Sequence, residues 1–140
     1  MNTNQRFAVS IHILTLLASS DESLTSRAIA ESVDTNPVVI RRTMAALRKR
    51  GLVKSRSGVN GGWRLLRRPE KIVLSEIYRS LEQENVLAMH SHPNKHCRVG
   101  GHIKEALSEA FTSAQTEMEK ALDHYTVANI LEDVLARAGE

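Results

Sequence analysis

The stretch SGVNGGWRLLRRP, Ser57 to Pro69, decides how this chain is read. Gly58, Asn60, Gly61 and Gly62 are residue types that tolerate positive φ, so a turn is expected there. Short apolar runs flank it, Gly51-Leu52-Val53 before and Trp63-Arg64-Leu65-Leu66 after. The pattern is that of a β-hairpin with a glycine-rich tip and cationic flanks. A hairpin this small is marginal alone in water, so it must lean on another element. Its arginines must also face something. Trp63 is expected to pack the hairpin against its neighbours rather than to stack on a base.

Upstream lies LTSRAIAESVDTNPVVIRRTMAALRKRGLV, Leu24 to Val53. Thr25 or Ser26 is suited to cap a short helix running to about Val33, with Ile29 and Val33 inward. Asp34-Thr35 is turn chemistry. Asn36 followed by Pro37 is a helix start, a capping side chain before a residue suited to the first helical position. Ile40, Met44 and Leu47 form the inner stripe of that second helix, and Gly51 sits where a left-handed C-terminal cap is wanted. Two helices joined by a turn of about four residues form a helix-turn-helix. With the hairpin directly after it, the unit reads as a winged helix. Val38, Arg41, Arg42, Ala45 and Lys49 then point outward or to the sides, a first turn of small and cationic groups that suits a major groove.

The charge distribution agrees. The chain has 140 residues and a net charge of only +3. Yet ten Arg or Lys fall from Arg41 to Arg68, and the only acid between Arg41 and Lys71 is Glu70. A basic segment in an otherwise balanced chain suggests a polyanion-binding face. Lys54, Arg56, Arg64, Arg67 and Arg68 are the expected phosphate neutralisers on the wing. Aromatic residues make up 4% of the chain, so the core must be aliphatic.

The flanks read as helices. Phe7, Ile11, Leu14 and Ala18, and also Val9, Ile13 and Leu16, recur at helical spacing near the start. Such a helix is buried in a core or in a subunit contact. After the wing, Pro69-Glu70 is a turn, Ile72-Val73-Leu74 a short extended piece, and Ser75 the expected cap of a helix carrying Ile77, Leu81 and Val86. A polar loop follows from about Gln83 to Gly101. Ile103, Leu107, Ala110, Phe111, Ala114, Met118 and Ala121 then share one stripe of a helix about 30 Å long. It overhangs a small winged-helix domain, and a second subunit is the simplest cover for its stripe. Thr126 caps a terminal helix carrying Ile130, Leu131, Val134 and Leu135. The fold class is therefore mainly α with a small β-hairpin wing. The expected organisation is a winged helix-turn-helix over 1–82, a polar loop over 83–101, and a dimerisation helix with a C-terminal helix over 102–140.

These pieces together resemble the Rrf2 family of bacterial winged-helix transcriptional regulators. The likeness rests on RFAVSIHIL, SRAIAESVDTNPVVIRRTMAALRKRGLV, SRSGVNGGWRLLRRP and TVANIL, in that order. Its most specific part is the wing pattern Gly-x-x-Gly-Gly-aromatic-x-Leu, met by Gly58, Gly61, Gly62, Trp63 and Leu65. The resemblance implies a homodimeric DNA-binding repressor or activator whose long helix crosses to the other subunit. It implies that the helix from Pro37 reads the major groove and that the wing touches the minor groove. The candidate DNA contacts are then Thr35, Asn36, Val38, Val39, Arg41, Arg42 and Lys49 on the helix-turn-helix. On the wing they are Arg56, Ser57, Gly58, Asn60, Gly61 and Arg64. Two such subunits would meet a palindromic site.

The iron–sulfur members of the family hold a cluster with three cysteines in the loop before the long helix. Here that loop reads ENVLAMHSHPNKHCRVGGHIKEAL and contains only Cys97. Thiolates are the usual cluster ligands, so no cluster and no other cofactor is expected. The spelling HPNKHCRVG resembles the cluster-free, single-cysteine, YwnA-like branch. His90, His92, His96, Cys97 and His102 crowd the loop and offer ligand types for zinc or copper, but H-x-H-x-x-x-H-C matches no paired-ligand zinc framework. Cys97 has two readings. Lys95, His96 and Arg98 beside it and a helix start after it favour a reactive thiolate sensing oxidants. The alternative is an inert small apolar residue.

Enzyme constellations do not occur. SGVNGG precedes a strand, whereas a dinucleotide fingerprint opens a helix. No secretory leader and no apolar run of membrane-spanning length is read, and a lone cysteine fits a reducing cytoplasm. The remaining rivals are a winged helix used as a protein-interaction module, and a metal-responsive regulator using the histidine-rich loop.

Overall fold

The helix-turn-helix forms where its capping residues place it. A computed structural model describes residues 3–81 and 85–140. Helix α1 spans Thr3–Ala18, α2 Ser26–Val33 and α3 Pro37–Lys49. Thr25 Oγ1 accepts the Ala28 N–H at 3.1 Å and starts α2. Asp34, at φ 54°, turns the chain out of it. Asn36 Oδ1 accepts the Val38 N–H at 2.8 Å and starts α3 on Pro37. Each cap of this kind contributes about 1 kcal/mol. Gly51, one residue past the Arg50 cap of α3, is at φ 80°.

Strands β1 (Val53–Arg56) and β2 (Gly62–Leu65) form the antiparallel hairpin, with Val53 opposite Leu65, Lys54 opposite Arg64, Ser55 opposite Trp63 and Arg56 opposite Gly62. The hairpin leans on the segment before α2 through a bridge between Leu24 and Trp63. Gly62 makes that possible. Its φ is 126°, and a Cβ there would stand 2.6 Å from the Leu24 carbonyl oxygen. Trp63 is half-buried against the core and donates its indole N–H to Ser26 Oγ at 3.0 Å, so it packs the wing as expected.

Ile13, Leu14 and Leu17 of α1, Ile29 of α2, Ile40, Met44 and Leu47 of α3, Leu52 and Val53 at the wing, and Ile72, Leu74 and Ile77 after it make one aliphatic core. The buried hydroxyls of Ser10, Thr15 and Thr43 each donate to the carbonyl four residues earlier, so these three donors enter the core paired.

Beyond the wing the chain departs from the sequence expectation in two places. Pro69–Lys71 is a short 3-10 turn, and α4 spans Leu74–Ser80. Ser75 is not its cap. It lies inside the first turn, buried, and its hydroxyl donates to the Asp123 carboxylate. Val73 takes the flanking position because it is held extended by a bridge to Thr126. Nor is Val86 on this helix: α4 ends at Ser80, and Val86 stands half exposed beside α5 with its N–H toward Gln115 Oε1 at 3.3 Å. The boundary expected at 82–83 lies outside the described residues.

Helix α5 covers Ile103–Leu122, 20 residues, and α6 covers Val127–Arg137. Thr126 and Asn129 close a capping box at the start of α6. Val127 is buried in the core, and α6 packs on α1.

Candidate nucleic-acid interface

The turn into α3 exposes the N-terminal face of that helix. Val38 is 43% exposed, Arg41 and Arg42 are exposed, and no acidic residue occupies the first turn. Thr35 and Val39 are half-buried. Asn36 has spent its side-chain carbonyl on the cap, leaving its amide N–H groups for a partner. Lys49 is exposed at the opposite, C-terminal end of α3.

On the wing, Arg56, Ser57, Gly58 and Asn60 are exposed, and Gly61 is half-buried. Arg56, Asn60 and Arg64 come together with Lys54 and Ser23 around an open groove of about 480 Å³ on the outer side of the hairpin. Arg64 is held in it: its Nε–H donates to Ser23 Oγ at 2.8 Å, and Nη2 lies 3.3 Å from the Asp21 carbonyl oxygen. Lys54 sits directly opposite Arg64 across the strands. Like charges at that spacing disfavour the hairpin on their own, and a polyanion between them reverses the sign. Arg41, Arg42, Lys54 and Arg56 make no ion pair among the described residues.

One basic residue is used differently from expectation, and another has a role the sequence did not suggest. Arg67 does not stand free for a phosphate: Nη2 lies 2.6 Å from Glu76 Oε1. Arg48 lies over the Trp63 ring, 5.9 Å from its centroid. Val59, at the wing tip between Gly58 and Asn60, is 91% exposed.

The loop from 85 to 101 is exposed almost throughout. Asn94 organises its end, accepting the His96 N–H on Oδ1 at 2.9 Å and the Cys97 N–H on its carbonyl at 3.2 Å. Cys97 is exposed, and the backbone N–H groups of Gly100 and Val99 directed at its sulfur hold the thiol below the ordinary cysteine value. His90, His92, His96 and His102 do not converge on it: among the described residues no three of His, Cys, Asp or Glu are placed to hold a metal ion.

Residues 3–133 match the Rrf2 family, described as an iron-dependent transcriptional regulator. The chain belongs to the Rrf2 family. Rrf2 proteins are transcriptional regulators, not enzymes, and the winged helix with its basic face is how this one is built. YwnA of Bacillus subtilis (strain 168), which carries the name of an HTH-type transcriptional regulator, is 44% identical over 129 residues, 91% of this chain and 96% of YwnA. The HTH-type transcriptional regulator NsrR of Geobacillus kaustophilus (strain HTA426) is 30% identical over 132 residues, 88% of this chain and 84% of NsrR. A crystal structure described as that of a DNA-binding protein superposes with a TM-score of 0.74 at 38% identity, covering 90% of this chain and 98% of that one. One cysteine in the whole chain supplies one thiolate, and an iron–sulfur cluster takes several. Among the described residues no helix is long and apolar enough to cross a membrane.

Proposed function

We propose that the chain is a cytoplasmic, homodimeric transcriptional repressor that binds a palindromic operator without a metal or cluster. In this reading residues 1–82 bind DNA, 83–101 form a sensing loop, and 102–140 dimerise. Helix α3 enters the major groove with Asn36, Val38, Arg41 and Arg42, while the wing from Arg56 to Gly61, with Arg64, follows the adjoining backbone. The observation that carries the reading is the row of Arg41, Arg42, Lys54 and Arg56, exposed and without an ion pair among the described residues, on two elements that one small core holds together.

Dimerisation is supported by two apolar surfaces. Ile103, Leu107, Phe111 and Met118 run along α5 half exposed, and no residue of α5 is buried. Between α1 and α6 lies an open groove of about 690 Å³ lined by Ile11, Leu16, Ile130, Leu131, Val134 and Leu135. A two-fold pair covers both surfaces twice over, as an isologous contact does.

For the signal, the Cys97 thiolate attacks a peroxide, displaces hydroxide and becomes a sulfenic acid, so the sulfur is oxidised and the peroxide reduced. The change sits in the turn that leads into α5, the helix that sets the spacing of the two reading heads.

Fluorescence anisotropy on a duplex enriched by the protein from a randomised library, with a scrambled duplex as control, tests both halves. Two chains are expected per duplex, with strong sequence preference, steep salt dependence, and loss of binding after peroxide that Cys97→Ser abolishes. Equal affinity for both duplexes would leave a protein-interaction module. Equal response of Cys97→Ser and the unaltered chain would remove the thiol from the mechanism.

A further inference from the structure

One carboxylate joins the two reading elements. Glu76 Oε1 lies 2.6 Å from Arg67 Nη2 and 3.7 Å from Arg50 Nε. Arg50 is the residue that ends α3. Arg67 is two residues past the end of β2. Glu76 stands in the first turn of α4, its side chain 22% exposed. Two guanidinium groups, one from before the hairpin and one from after it, are therefore held by a single anion on a third element.

That third element is itself fixed from the other side. Arg79 Nε donates to Glu119 Oε1 at 2.8 Å, the Gln115 amide donates to Tyr78 Oη at 3.0 Å, and the Ser75 hydroxyl donates to Asp123. Helix α4 thus has the recognition helix and the wing root on one side and α5 on the other.

We propose that Glu76 is a positioning residue for DNA recognition: it sets the angle between α3 and the wing and so controls sequence preference, an inference that rests on the DNA-binding reading above. The physical grounds are these. The Arg67–Glu76 pair is only partly buried and both arginine side chains keep more than a third of their surface in water, so its contribution as a fold brace is modest. Base readout in the major groove needs α3 and the wing to dock at once, and bidentate contacts fail with small displacements. Without Glu76, Arg50 and Arg67 repel each other and both become free to meet any phosphate. Sequence-independent binding then strengthens while specific docking weakens.

The test is Glu76→Gln, which keeps the shape and removes the charge. Affinity is measured on the enriched duplex and on its scrambled control, beside Arg67→Gln and the double variant, with Tm for each protein. The ratio of the two affinities is expected to fall about fivefold in Glu76→Gln, the scale of residues that tune recognition without touching the ligand. Binding to the scrambled duplex holds or tightens, and Tm moves little. The double variant loses no more of the ratio than either single one, because both cut the same tie. An unchanged ratio, a proportional loss on both duplexes, or additive losses in the double variant would overturn the proposal. Should Glu76→Gln fail to fold, Arg67→Gln carries the test by the same ratio. If the unaltered protein enriches no duplex at all, the DNA-binding reading itself fails, an outcome distinct from the others.

Discussion

Helices α4 and α5 are opposites. Helix α4 has 7 residues and buries Leu74, Ser75, Ile77, Tyr78 and Ser80; α5 has 20 residues and buries none. Length and anchoring are separate properties. A short helix fully enclosed by a core has its place set by the chain it belongs to. A long helix that, among the described residues, meets that core through Leu122 and polar contacts to α4 in its C-terminal half leaves most of its apolar stripe uncovered. In the proposed dimer, the contrast separates residues that hold the winged domain together from residues that join two such domains.

The largest effect is expected on the α4 side. Ile77 is fully buried, and Ile77→Ala should cost about 3 kcal/mol, read as a lower midpoint in urea unfolding. If it costs as little as a surface change, the contrast between the two helices breaks. Next comes α5. Leu107→Glu should leave the secondary structure unchanged by circular dichroism, shift sedimentation from dimer to monomer, and weaken binding to a palindromic duplex on the order of a hundredfold. A monomer that keeps full affinity would show that α5 serves no second copy. A smaller change is expected on the wing: Lys54→Ala should lower affinity for every duplex alike and reduce the salt slope by about one.

How much of this could be read from the residues depended on distance along the chain. Caps at Thr25, Asn36 and Thr126 are local transactions between a side chain and an N–H two or three residues on, and all three were legible. Ile40, Met44 and Leu47 followed from period alone, and Thr43 joined them in burial because its hydroxyl could bond back to Val39. Ser75 was misread because a local rule lost to a remote one. Val73 was drawn into a bridge with Thr126, and Asp123 took the serine hydroxyl from 48 residues away. In the candidate site, the cations and the turn were legible, but their division of labour was not. Nothing in the order of residues says that Arg67 meets Glu76, that Arg64 is pinned by Ser23, or that Arg48 lies over Trp63. Those are consequences of folding the hairpin back onto the helices.

The smallest expected effect is also the most local. Backbone N–H groups at Gly100 and Val99 favour the Cys97 thiolate and lower its pKa on folding. With the folded value below the unfolded one, the thiolate's contribution to stability is present above the unfolded value and is lost as pH falls through the folded one. The rate of iodoacetamide alkylation against pH should therefore turn over at lower pH in the native protein than in urea. Coincident midpoints would show that the loop does nothing to its sulfur.

Trp63 has one more consequence. It is the chain's single tryptophan, and it sits where the wing, the start of α2 and the side of α3 meet, with a serine on its N–H and a guanidinium over its ring. All ultraviolet emission excited at the red edge comes from that one junction. The protein thus carries its own optical gauge of wing seating, readable in dilute solution with no dye attached to DNA or protein. Any shift in that emission on adding a duplex, an oxidant or a denaturant reports the hinge of the reading head rather than an average over the molecule.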